Sequence, residues 1–168
     1  MVEHLVSFFG NLPKEIIAVI LAMFPIVELR GAIPWALAPL PGGGGLLWYE
    51  AYIYSVLGNL IPIVPLLLGF EWFYNKLKKY PRFNRFFEWL FHRTRKRGKV
   101  IEKYETIGLA LFVSIPLPVT GAWTGAIAAF LFGIRFRLAF PAIILGVLIA
   151  GLVVSLISIG AISFINAF

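Results

Sequence analysis

Residues Phe24 to Ala38 read FPIVELRGAIPWALA, an apolar stretch punctured by Pro25, Glu28, Arg30, Gly31 and Pro34. It lies inside a longer apolar run from Pro13 to Pro41. Proline removes a helical donor and clashes with the preceding turn, so this run predicts two helical legs with a break near its centre. A second stretch repeats the plan: Ile115 to Ala128 reads IPLPVTGAWTGAIA, with Gly121-Ala122 aligning with Gly31-Ala32. Each broken run is followed by one apolar segment long enough to span a bilayer. The chain therefore parses as hairpin, span, basic connector, hairpin, span.

About ten residues on each side of a break reach only about 15 Å, half of the roughly 30 Å hydrocarbon core. Two readings follow. If both runs dip in and return, one true span separates them, the second unit enters from the opposite face, and the repeat is inverted, as in many transporters. If both cross fully, the chain has four spans. The need of irregular backbone at depth for a protein-lined or water-lined setting favours re-entrance. The expected fold class is thus an all-α integral membrane protein: two inverted repeats, each a re-entrant helical hairpin plus a transmembrane helix, with an amphipathic cytoplasmic surface helix between them. It is a single membrane domain, with the first hairpin and span at 13–73, the connector at 74–103 and the second hairpin and span at 104–168.

Composition supports a bilayer setting. The 168 residues are 60% hydrophobic and 14% charged, with mean hydropathy +0.89, far from the roughly 45–50% apolar usage of soluble domains. There is no Cys, which excludes disulfides, thiolate metal sites and a Cys nucleophile. The two histidines, His4 and His92, have no metal-ligand spacing, and neither metal nor cofactor is expected. Nothing resembles a complete set of nucleophile, base and metal, so an enzyme is not expected. The net charge of +7 is concentrated: Lys76, Lys78, Lys79, Arg82, Arg85, Arg93, Arg95, Lys96, Arg97, Lys99 and Lys103 form one block. Beside long apolar segments such a block marks a cytoplasmic loop on anionic headgroups, and no nucleic-acid partner is expected. Lys96, Arg97 and Lys99 are its membrane-surface core, and membrane lipids are the expected partners. A cell-membrane, multi-pass protein with a cytoplasmic connector places both termini outside.

Residues Met1 to Leu12 have an amphipathic spacing suited to an interfacial anchor. They lack a cleavable signal pattern, and Met1 onward is read as mature protein. The segment Leu46 to Phe73 contains Gly58, Asn59, Pro62 and Pro65, which predict a kink turned toward protein. Phe140 to Phe164 is the cleanest span.

Glu28 and Arg30 carry the sharpest chemical signal. An ionised group at bilayer depth costs at least about 2.5–3.5 kcal/mol unless paired or hydrated. They form either a structural ion pair or a working site in which Glu28 takes up and releases a proton while Arg30 attracts an anion. Helix N-termini near Gly31 and Gly121 would aim backbone donors at the same anion. Thr120 and Thr124 are uncharged donors beside glycines, and their ordinary alternative is a bond to their own helix carbonyls. Pro34, Pro116 and Pro118 shape the two tips. Asn59 either bonds a hairpin tip or glues helices together. Trp35 and Trp123 are expected to pack, and Glu50, Glu71 and Glu105 to be solvated at segment ends.

At ELRGAIP (Glu28 to Pro34) and PLPVTGAWTGA (Pro116 to Ala126), the chain resembles the small multidrug export protein family, itself related to the DedA/VTT superfamily. The resemblance covers nearly the whole chain. It implies paired re-entrant hairpins and proton-coupled or scrambling movement of lipids, including polyprenyl phosphates. It also implies a membrane-embedded acid at Glu28 and a phosphate partner at Arg30. The superfamily typically holds an arginine in the second hairpin, where this chain has Thr120 and Gly121.

The functional expectation is proton-linked movement or scrambling of an amphipathic anionic lipid, such as a polyprenyl phosphate or phospholipid, past Glu28 and Arg30. Two alternatives stand beside it: a small-molecule or multidrug exporter, and a non-transport membrane assembly protein whose connector docks a partner. Two full spans enclose little on their own, so a homodimer is expected.

Overall fold

The computed structural model describes residues 12–39, 42–77, 98–117 and 120–167. Seven helices account for the regular structure among them: α1 (Lys14–Met23), α2 (Glu28–Leu37), α3 (Trp48–Leu60), α4 (Ile63–Leu77), α5 (Gly98–Ser114), α6 (Ala122–Phe132) and α7 (Phe136–Ala167). Two segments are long and apolar enough to cross a membrane, Trp48–Phe70 and Phe136–Ile165. The chain divides into two compact units: Met1–Pro62 with Val147–Phe168, and Ile63–Gly146.

In the first unit, proline sets the helix lengths. A residue before proline is driven out of the helical region. Phe24, ahead of Pro25, ends α1 with ψ 132°, and Ala38, ahead of Pro39, ends α2 with ψ 139°. Each helix therefore has ten residues and reaches about 15 Å. The predicted break lies at Phe24 to Val27, where the Phe24 carbonyl accepts the amides of both Val27 (3.1 Å) and Glu28 (2.9 Å). Helix α2 starts at Glu28, so Gly31 is not at a helix N-terminus as expected. It lies one turn inside α2, its amide bonded to the Val27 carbonyl.

The helices α1, α2 and α3 pack against one another. Ile17, Leu21, Ala22, Val27 and Ala32 form one buried cluster under Trp35; Ala18, Ala36 and Ala51 form another, also touched by Trp35. Small residues let the backbones close. A Cβ on Gly58 would stand 2.2 Å from the Val19 carbonyl oxygen, so only glycine fits where α3 meets α1. The later part of α7 joins this unit, with the Tyr52 hydroxyl donating to the Leu148 carbonyl at 3.1 Å.

The second unit repeats several of these devices. Val113 of α5 is buried and fills the space that side chains at Gly125 of α6 and Gly146 of α7 would occupy. Phe70 of α4 stacks on Phe130 of α6 with centroids 5.0 Å apart. Gly133, with φ 68°, closes α6: its amide bonds the Phe130 carbonyl and that of Ile134 bonds the Ala129 carbonyl, the paired pattern of a glycine-terminated helix.

The expected kink in the first long segment is a turn at Ile61 and Pro62 that separates α3 from α4. The expected anchor at Met1 to Leu12, apart from its last residue, and the centre of the 74–103 connector, with Lys96 and Arg97, lie outside the described residues; helix α4 covers the connector's start and α5 its end.

Gly58→Ala should cost about 1–3 kcal/mol through overpacking against the α1 backbone. Gly69→Ala in α4, with nothing within 4 Å of its Cβ position, should not. Thermal unfolding of the two variants in detergent checks the contrast.

Candidate functional site

Glu28 opens α2 in a backbone conformation that L-residues avoid. Its φ is 44°, and among the described residues no other non-glycine has a positive φ. Such a residue costs of order 1–3 kcal/mol and persists only where its surroundings hold it. Glu28 is also 4% exposed. The strain and the burial therefore fall on the same carboxylate.

The distorted backbone explains a contact that a regular helix would forbid. Residues two apart on a helix point away from each other, yet Arg30 Nη2 lies 3.7 Å from Glu28 Oε2. The positive φ at Glu28 breaks the helical progression at the first residue of α2. The guanidinium keeps 26% of its side-chain surface exposed while the carboxylate keeps 5%. The pair is thus asymmetric, with a covered acid and a partly open cation. The start of α2 favours a negative charge through the helix dipole. Within α2, Pro34 removes the amide that a helix would direct at the carbonyl of residue 30.

Four further polar side chains in this unit are buried, Ser155 and Ser158 on α7 and, on α3, Ser55 at 0% and Asn59 at 1% exposed. Ser55 and Asn59 stand one turn apart on one face. Ser55 Oγ and Asn59 Oδ1 are the buried side-chain polar atoms that make no hydrogen bond among the described residues. Asn59 was expected to bond a hairpin tip or glue helices; its Oδ1 holds no hydrogen bond among the described residues. Ser55 was not foreseen, although a hydroxyl four residues before Asn59 in an apolar segment was a visible signal. Other hydroxyls at depth behave differently. Ser114 bonds the Leu111 carbonyl at 2.8 Å, Ser155 that of Gly151 at 2.8 Å and Ser158 that of Val154 at 2.7 Å.

At the second tip the described threonines bond backbone of their own segment. Thr120 Oγ1 accepts from the Leu117 amide at 3.0 Å and lies 2.6 Å from the Ile115 carbonyl and 2.8 Å from that of Leu117. Thr124 donates to the Gly121 carbonyl at 3.2 Å. Both threonines thus take the alternative of bonding their own segment. Gly121 caps α6 with φ 152°, a value open to glycine, and as expected it marks a helix N-terminus. Pro116 is half-buried at this turn; Pro118 lies outside the described residues. No group of three or more His, Asp or Glu that could hold a metal occurs among the described residues. Glu50 accepts from the Leu47 amide at 3.0 Å and so caps α3.

The site calls at Glu28, Arg30, Gly31, Pro34 and Asn59 fall in the first unit; those at Pro116, Thr120, Gly121 and Thr124 fall in the second. The charge and the unpartnered polar atoms are both features of the first.

Residues 28–153 match the family model described as "Putative small multi-drug export protein". The match begins at Glu28 and covers 126 of the 168 residues. No curated protein and no solved structure matches the chain.

Removing an unpartnered buried polar atom relieves its desolvation cost, so Ser55→Ala should be neutral or stabilising. Thr120→Val should lose about 1–2 kcal/mol, because it unties the 115–120 turn. Opposite shifts in melting temperature are the expected result.

Proposed function

The chain belongs to the small multi-drug export protein family, and on that premise we propose that it is a membrane exporter of small amphipathic molecules, in which the Glu28–Arg30 pair takes up and releases a proton. The observation that carries this reading is the covered, strained carboxylate 3.7 Å from a partly open guanidinium. Ionised Glu28 neutralises Arg30. When Glu28 takes a proton the neighbouring charge disappears, and the guanidinium attracts an anionic or strongly polar group. Loss of the proton restores the pair and weakens that hold. Proton and substrate anion are therefore bound and released together.

The ten-residue legs of α1 and α2 support a first hairpin that enters the membrane and returns. In this reading the second hairpin, α5 with α6, does so from the other face, giving an inverted repeat. The basic stretch Lys76 to Lys103 lies at the cytoplasmic surface, with Lys96, Arg97 and Lys99 against anionic headgroups, and both termini lie outside. A second copy completes the pathway. The role is transport rather than catalysis.

The partly exposed Arg30 also favours a second reading, in which the cargo is an anionic lipid such as a phospholipid or polyprenyl phosphate. Accumulation of small amphipathic dyes in cells separates the two. An exporter lowers dye accumulation, and Glu28→Gln or Arg30→Gln should reduce that effect at least tenfold. A lipid carrier leaves dyes alone and instead moves labelled anionic lipids between leaflets of proteoliposomes, with the same two variants inactive. If neither assay responds to Glu28→Gln, the pair is structural.

The absence of Cys makes the topology directly testable. Single cysteines at Gly31, Gly42, Gly98 and Gly121 in sealed vesicles should react with impermeant thiol reagents as follows: Gly42 from outside, Gly98 from inside, and Gly31 and Gly121 from opposite faces. Cysteines flanking each break that label on opposite sides would show full spans instead.

A further inference from the structure

A buried carboxyl that cycles between ionised and protonated forms needs two partners. The ionised form needs a donor or a positive charge, and Arg30 supplies it at 3.7 Å. The protonated form is itself an O–H donor and needs an acceptor, because a buried donor left unpaired is costly. Asn59 Oδ1 is a buried acceptor that holds no hydrogen bond among the described residues.

The chain path turns α3 back toward the end of α2 that carries Glu28. The amides of Gly45 and Leu46 bond the carbonyls of Ala38 and Ala36, so α3 starts beside the end of α2 and packs back along it. Ala36 of α2 and Ala51 of α3 share a buried cluster. Glu28 is eight residues back along α2 from Ala36 (36 − 28), and Asn59 is eight residues on along α3 from Ala51 (59 − 51). Both residues therefore lie toward the same end of the α2–α3 pair, and Gly58, next to Asn59, packs on Val19, one turn before α1 ends at Met23. Asn59 also lies on the face of α3 that carries Ala51, Ser55 and Gly58, the face buried in the unit.

The ionisable surroundings are sparse. On the elements of this unit, Lys14 and Glu15 open α1, and Glu50, Tyr49, Tyr52 and Tyr54 occupy the first half of α3. The later part of α7, from Val147, carries no charged residue. At the turn itself the charged groups are Glu28 and Arg30.

We propose that Asn59 is the hydrogen-bond acceptor of the protonated Glu28 carboxyl, so that the carboxyl changes partner from Arg30 to Asn59 as it takes up its proton. The proton comes from water and stays on the carboxyl. The ion pair to Arg30 opens and one O–H···O bond to Asn59 Oδ1 forms. Asn59 is thereby a positioning residue that sets the pH at which Arg30 is released to a substrate. The proposal rests on the proton-linked reading given above and specifies how that site is switched.

Infrared titration of the full chain in proteoliposomes reads the proton without knowledge of the substrate. The protonated-carboxyl band that disappears in Glu28→Gln belongs to Glu28. Asn59→Leu destabilises the protonated form and should move the midpoint of that band to lower pH by about one unit, a tenfold loss of proton affinity. Arg30→Gln destabilises the ionised form and should move it to higher pH. If Asn59→Leu does not fold, Asn59→Val makes the same test. Opposite displacements establish the exchange of partners. A midpoint unmoved or raised by both Asn59 variants, with Arg30→Gln still raising it, overturns the role of Asn59 alone. Absence of any band that depends on Glu28 overturns the proton-linked reading as well.

Discussion

Two prolines constrain this molecule before any packing begins. Because Phe24 and Ala38 turn to extended backbone ahead of Pro25 and Pro39, α1 and α2 are each held to a length that cannot cross a bilayer. The interruption then has to be satisfied locally, and the Phe24 carbonyl, taking two amides, does so. The rest of the first unit follows from that short pair. A ten-residue helix has little surface to bury, and its contacts combine alanine and glycine at close approach with Ile17, Leu21, Ile33 and Trp35.

The same economy separates two kinds of polar residue. Ser114, Thr120, Thr124, Ser155 and Ser158 return their hydroxyls to carbonyls of their own segments, which hides them from an apolar environment at little cost. Ser55 and Asn59 do not, and Glu28 adds backbone strain to burial. Local conflicts of this kind concentrate where a fold serves something other than its own stability. That they all fall in the first unit makes the two similar sequence stretches unequal: one tip is chemically loaded, and the other is closed upon itself.

Much of this was legible in the residues. The breaks at Pro25 and ahead of Pro116, the turn near Pro62 and the long final helix follow from proline chemistry and apolar run length. Glu28 and Arg30 stood out because charge is rare in such segments. The start of α2 at Glu28 rather than near Gly31 was not legible, because it depends on a positive φ that glycine, and not glutamate, would have announced. The ion pair of Glu28 with Arg30 was one of the two readings of those residues; the backbone strain beside it was not foreseen. Nor could spacing decide whether Thr120 faced a ligand or its own turn, since both readings use the same hydroxyl and differ only in a side-chain rotation.

The fit between Gly58 and the Val19 carbonyl limits how this unit can move. Where a single methyl group has no room, one helix cannot ratchet along the other, because any advance by a residue would bring a side chain into the gap that glycine leaves. The hairpin and α3 therefore travel as one piece. A change of state within that piece has to come from rotation of side chains, with the carboxyl at position 28 as its smallest moving part.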